Sequence, residues 1–148
     1  MLIATLVCLH LLALLASVVF LSSRSALLRP EIMNARQRLL PTLRRLDRIY
    51  WAALLTLGLS GVLLVLLGPG GPAAVRGNVL LALLGLGWLT LIVLAWLSSR
   101  RLAHITAEGE NVPDNAYARL RSSLMAQGHL MGLLAIFGVF LLFGYGAH

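Results

Sequence analysis

Hydrophobic positions fall in four long runs, about Leu2 to Ser22, Tyr50 to Leu67, Asn78 to Leu97 and Leu124 to Tyr145, separated by shorter polar or glycine-rich stretches. Each run reaches the roughly 18 residues that a helix needs to cross about 30 Å of hydrocarbon. The pattern predicts four transmembrane helices, over about residues 2–22, 42–67, 78–98 and 114–145. Pro41 suits the first turn of a helix, so the second is expected to start at Thr42, below the membrane, and to run about 40 Å. Asn111-Val-Pro-Asp114 reads as the start of the fourth.

The first run carries one histidine, His10, near its middle. An unpartnered imidazole in hydrocarbon is costly, so His10 must face protein, water or a ligand. On a wheel of 100° per residue, Ala13, Ser17, Leu21 and Arg24 share its face, while Leu11, Leu12, Leu15, Val18 and Val19 spread over the other sides. A small and polar stripe on an otherwise apolar helix is the sequence form of a bundle interior. Further small residues mark the packing seams: Gly58, Ser60 and Gly61 on the second helix, Gly85 and Gly87 on the third, and the Gly128-x-x-x-Gly132 pair on the fourth.

Composition turns these spans into a statement about solvent. A chain of 148 residues that is 59% hydrophobic and 11% charged, with a mean hydropathy of +0.91, cannot bury so much apolar surface in a water-soluble domain of its size. Lipid is the expected partner of its surface. The net charge of +7 comes from arginine alone, which argues for topology determination rather than nucleic-acid binding. Seven arginines lie between Arg24 and Arg48, Arg76 alone lies in the glycine turn, and four lie between Arg100 and Arg121. The positive-inside rule places both arginine-rich connections in the cytoplasm and both termini outside. The expected fold is therefore all-α, an up-down-up-down four-helix bundle in a bacterial inner membrane, forming one domain. The apolar first segment lacks a positive leader and is expected to remain as a helix. The arginines near the ends, Arg36, Arg38, Arg44, Arg45, Arg100 and Arg101 among them, are expected at lipid headgroups.

Candidate chemistry is sparse. The single Cys8 excludes an internal disulfide, and no HExxH, CxxC, GxSxG or phosphate-loop pattern occurs. All five acids fall in the connections, which disfavours proton-coupled transport. Two membrane histidines, His10 and His129, raise haem b as a cofactor, but their expected depths differ by roughly 10 Å, a poor match for two axial ligands of one haem. A second constellation lies at the inner boundary: Arg24, Asp47, Tyr50 and Arg121, read as a structural latch in which Asp47 pairs with Arg24, Arg48 or Arg121. His104 and His148 read as solvated.

The order Leu9-His10-Leu11-Leu12, then Arg45-Leu-Asp47-Arg-Ile-Tyr50, then Gly144-Tyr145-Gly146 resembles an uncharacterised bacterial family of small four-span membrane proteins. More distantly it is similar to HemJ-type protoporphyrinogen oxidases and to the membrane domain of CopD-type copper-resistance proteins. The resemblance implies a four-helix unit whose first-helix histidine, His10 here, faces the interior, with haem b or a porphyrin as the implied ligand. Those relatives carry His-x-Lys at the start of helix 3, where this chain reads Arg76-Gly77-Asn78, so that pair does not carry over. No spacing of Cys, Met and His suits copper. The sequence thus points first to a non-catalytic accessory or assembly subunit of a larger membrane complex, and second to a haem- or porphyrin-handling protein using His10.

Overall fold

The computed structural model describes residues 1–29, 36–68, 71, 73, 78–108 and 113–145. Glu31, Arg76, Gly77, Glu110, Asn111, Gly146, His148 and the side chains of Arg36 and Arg38 lie outside the described residues. Four helices make up the fold: α1 (Leu2–Leu27), α2 (Arg36–Leu67), α3 (Val79–Glu108) and α4 (Asp114–Tyr145). All four are long and apolar enough to cross a membrane, and the chain is a multi-pass membrane protein.

Three helices outrun their hydrophobic runs. α1 continues to Leu27, α3 continues to Glu108, and α2 begins at Arg36 with Pro41 inside it. Hydropathy reports the thickness of the lipid, whereas a helix stops only where its backbone loses partners, and arginine is a good helix former. Pro41 is tolerated because, near the helix start, it removes a single hydrogen bond. α3 has a side-chain cap: Asn78 Oδ1 accepts from the N–H groups of Leu80 and Leu81 at 3.0 and 3.2 Å. The turn after α2 requires glycine at Gly71, where φ is +50°.

Polar residues inside the spans satisfy themselves locally. The hydroxyls of Ser17, Thr56 and Thr90 donate to carbonyls four residues back on their own helices, at 2.8 to 2.9 Å. This is how a hydroxyl survives in lipid without a second helix.

α1 packs most extensively on α2 and α3 on α4, with lighter seams between α1 and α4 and between α2 and α3. The buried face of α1 comprises Leu6, Ala13, Ser17, Leu21 and Arg24, the face the wheel draws through His10. The core gathers Tyr50, Leu54, Leu91, Ala95, Leu120, Leu124 and Met131 around it. Leucines and valines cover the outside, among them Leu12, Leu15, Leu59, Leu86 and Leu133, as expected for a surface solvated by lipid. Contacts between helices gather Arg24, Asp47, Arg101 and Arg119 toward one end of the bundle.

The glycines divide into two groups. A Cβ at Gly58 would overlap the Trp88 indole, one at Gly61 would lie 3.2 Å from His10 Cε1, and one at Gly87 would overlap Leu134. At Gly85, Gly128 and Gly132 a Cβ would meet nothing within 4 Å. Gly58 and Gly61 are thus helix-packing positions within the chain, whereas at Gly85, Gly128 and Gly132 no neighbour requires the missing side chain. Gly58→Ala should therefore destabilise the protein by about 1–3 kcal/mol through overpacking. Gly128→Ala and Gly132→Ala should stay within about 0.5 kcal/mol or gain slightly from helix propensity. Unfolding equilibria of the three variants in mixed detergent micelles measure the difference.

Candidate functional site

The helix register brings one buried charge to the boundary of the bundle. Arg24 shares the inward face of α1 and is only 1% exposed, so its guanidinium must find a counter-charge. Asp47, on the opposing turn of α2, supplies it: Arg24 Nη2 lies 2.5 Å from Asp47 Oδ1. Tyr50, one turn further along α2 and fully buried, places its ring 5.1 Å from Arg24 Cζ, within cation–π range.

Asp47 is also held from α3. Ser99 Oγ lies 2.8 Å from Oδ2 and 3.0 Å from Oδ1, so its single hydroxyl proton is shared between the two carboxylate oxygens. The Ser99 oxygen in turn accepts from Trp51 Nε1 at 2.8 Å. The resulting relay runs from Trp51 through Ser99 to Asp47 and Arg24, and it ties three helices together. Arg24 Nε, Arg24 Nη1 and the Tyr50 hydroxyl are buried without a hydrogen-bond partner among the described residues.

The expected latch is thus partly assembled. Arg24, Asp47 and Tyr50 meet; Arg121 forms no ion pair among the described residues and takes no part. Ser17, assigned to helix packing, is buried on the same face of α1. Ser99 and Trp51 escaped the sequence reading. Trp51 lies four residues after Asp47 and shares its face, a signal that was present, whereas nothing local distinguishes Ser99 from Ser98 beside it.

A second polar cluster lies between α3 and α4. Gln127, fully buried, donates through Nε2 to Ser98 Oγ at 3.2 Å, to Leu94 O at 3.3 Å and to Ser123 O at 3.3 Å. It acts as a clasp for the α3–α4 hairpin.

The two membrane histidines are not brought together. His10 Nδ1 lies 2.9 Å from Ser60 Oγ. That hydroxyl is itself 2.7 Å from Thr56 O and 3.0 Å from Leu57 O, and carbonyls only accept. Ser60 thus links the imidazole of α1 to the backbone of α2. Gly61 provides the room for this ring. His129 is exposed, and its Nδ1 donates to Met125 O at 2.8 Å, leaving Nε2 of the neutral ring bare. The two lie about 12 Å apart along the bundle by the rise per residue, on different faces, so they offer no common axial pair. Cys8 is exposed on α1, and His104 is exposed and pairs with Glu108 at 3.2 Å. Among the described residues no group of His, Cys, Asp and Glu gathers as a metal site.

Comparison of the chain with protein-family models, with curated proteins and with solved structures finds no match in any of the three.

What the site can do follows from the pairing of Asp47. Asp47 is occupied by a guanidinium and a hydroxyl. The arrangement holds helices in register. Asp47→Ala should leave Arg24 as an uncompensated buried charge and cost about 3–5 kcal/mol, whereas Arg24→Met combined with Asp47→Leu should recover most of that loss. Thermal unfolding of the single and double variants in detergent checks the sign of the coupling.

Proposed function

We propose that this protein is a non-catalytic accessory or assembly subunit that associates with another membrane protein through the outward face of α4. The observation that carries the reading is that Gly128 and Gly132 face outward with nothing above them, beside the exposed His129. Glycines four apart let a second helix approach closely, and they add nothing to packing within the chain. A crevice of about 150 Å³ adjoins this face, lined by Val18, Leu21, Ser22 and Ser25 of α1 and Leu124, Met125, Gly128 and Met131 of α4. The bare Nε2 of His129 gives the contact its chemistry. An acceptor in hydrocarbon calls for a donor, and the amide that α4 of a second copy carries near that depth, Gln127, is buried and already engaged. A transmembrane helix with a hydroxyl or amide side chain fits better than a symmetric α4–α4 pair.

In this reading the helices run up-down-up-down through a bacterial inner membrane, with the arginine-bearing end in the cytoplasm and both termini outside. The opposed contacts of His10 with Ser60 and of Arg24 with Asp47 support the alternation, and the distribution of arginine supports the orientation. The relation to the small four-span family suggested by Leu9-His10-Leu11-Leu12 and Arg45-Leu-Asp47-Arg-Ile-Tyr50 belongs to the same proposal.

Gly132→Leu and His129→Phe should each release a stoichiometric membrane partner from the gently solubilised protein while leaving its own stability unchanged. Native mass spectrometry reads both quantities. A wild-type protein that runs only as a partner-free monomer would rule the proposal out.

The anchoring of His10 by Ser60, in the room that Gly61 leaves, favours one other reading, a haem b or porphyrin held through the imidazole. A Soret band, present in the wild type or produced by adding haem and lost in His10→Ala, is the result that reading requires. A colourless protein unchanged by haem removes it.

A further inference from the structure

We propose that Trp96, Arg100 and Arg101 form a docking site for the phosphate of an anionic phospholipid. The argument starts from register. Trp96 and Arg100 are four residues apart on α3 and share a face, and that face looks outward, with Trp96 retaining 47% of its surface. Arg100 Cζ lies 4.3 Å from the centroid of a Trp96 ring. Tryptophan settles at the boundary between hydrocarbon and headgroups. The stack therefore pins the Arg100 guanidinium in the headgroup layer instead of letting it trail into water.

Arg101 is anchored by a different device. Its Nη1 donates to Arg119 O at 3.1 Å, which fastens it across the α3–α4 seam next to the Arg119 backbone. Two guanidiniums thus stand at consecutive positions, both exposed and both held in place. A guanidinium has five N–H donors, so each keeps several for an outside acceptor. Among the described residues Arg24 is the only arginine that pairs with a carboxylate, so no described carboxylate neutralises Arg100 or Arg101. A phosphodiester offers the paired oxygens that the guanidinium fork matches, and it lies at the depth where Trp96 places Arg100. Arg44, Arg45 and Arg48 on α2 strengthen the local field, but no contact among the described residues anchors them. The anchored pair separates a site from a merely basic surface.

The test uses the full chain, delipidated and titrated with phosphatidylglycerol or with phosphatidylcholine of the same acyl chains, bound lipid being counted by native mass spectrometry. Phosphatidylglycerol should be retained in preference. Replacing both Arg100→Gln and Arg101→Gln should weaken it by about 25-fold, at about fivefold per guanidinium. Trp96→Leu, which keeps every charge, should weaken it severalfold and leave phosphatidylcholine binding unchanged. The pair Arg44→Gln and Arg45→Gln removes the same charge and should cost less than about fivefold. Helical circular dichroism confirms that each variant is folded. Equal losses in the two double variants would show a diffuse field and overturn the site, as would equal retention of the two lipids or the capture of inorganic phosphate in place of the lipid.

Discussion

A charge on the inward face of a membrane helix has to be matched at its own depth, and the Arg24–Asp47 pair sets the register of α1 against α2. A second polar contact, His10 with Ser60, fixes the same pair of helices further along. The two contacts are 14 residues apart on α1 and 13 on α2, counted from the residue numbers, which is about 21 and 20 Å of helix. Both close at once only because these spacings match. A slip of one residue in either helix would swing His10 or Arg24 by about 100° and strand it.

The lighter seam between α2 and α3 is made by indoles. Trp88 donates to Leu54 O at 3.2 Å, a carbonyl within α2, and its ring lies in the notch left by Gly58. In an α-helix the N–H of residue 58 bonds the carbonyl of residue 54, so the glycine that lacks a side chain also uncovers the acceptor. Trp51 joins the same seam through Ser99. Because lipid supplies no hydrophobic force between helices, these few directional bonds and close approaches carry an association that apolar burial would carry in water.

Much of the helix content and the inward face of α1 were legible in the sequence, since hydropathy and a 3.6-residue period act locally. The ends of α1, α2 and α3 were not, because apolar runs mark the slab of lipid and not the extent of the backbone's hydrogen bonds. Arg24, Asp47 and Tyr50 were legible for a simple reason: a charge beside a span must be paired, and few partners existed. Arg121 was drawn into the same group by its height in the membrane alone, and height does not say which way a side chain points. The glycines show the same limit. Gly58 and Gly128 look alike in the sequence, yet one receives an indole and the other faces open space. Only the rotation of each helix about its axis separates them, and that rotation is set by contacts between distant residues.

The strong pairing of α1 with α2 and of α3 with α4 bears on how the chain enters a bilayer. Both members of the ion pair belong to the first hairpin, so α1 and α2 can cross with the buried Arg24 charge already matched by Asp47 before the rest of the chain arrives. The second hairpin brings no charge to the core, only the Gln127 amide and the hydroxyls of Ser98, Ser99 and Ser123, with Gln127 already clasped to its own partner helix. Assembly then reduces to docking two preformed hairpins, and Ser99 reaches Asp47 only in the finished bundle, which makes that bond a marker of completed assembly.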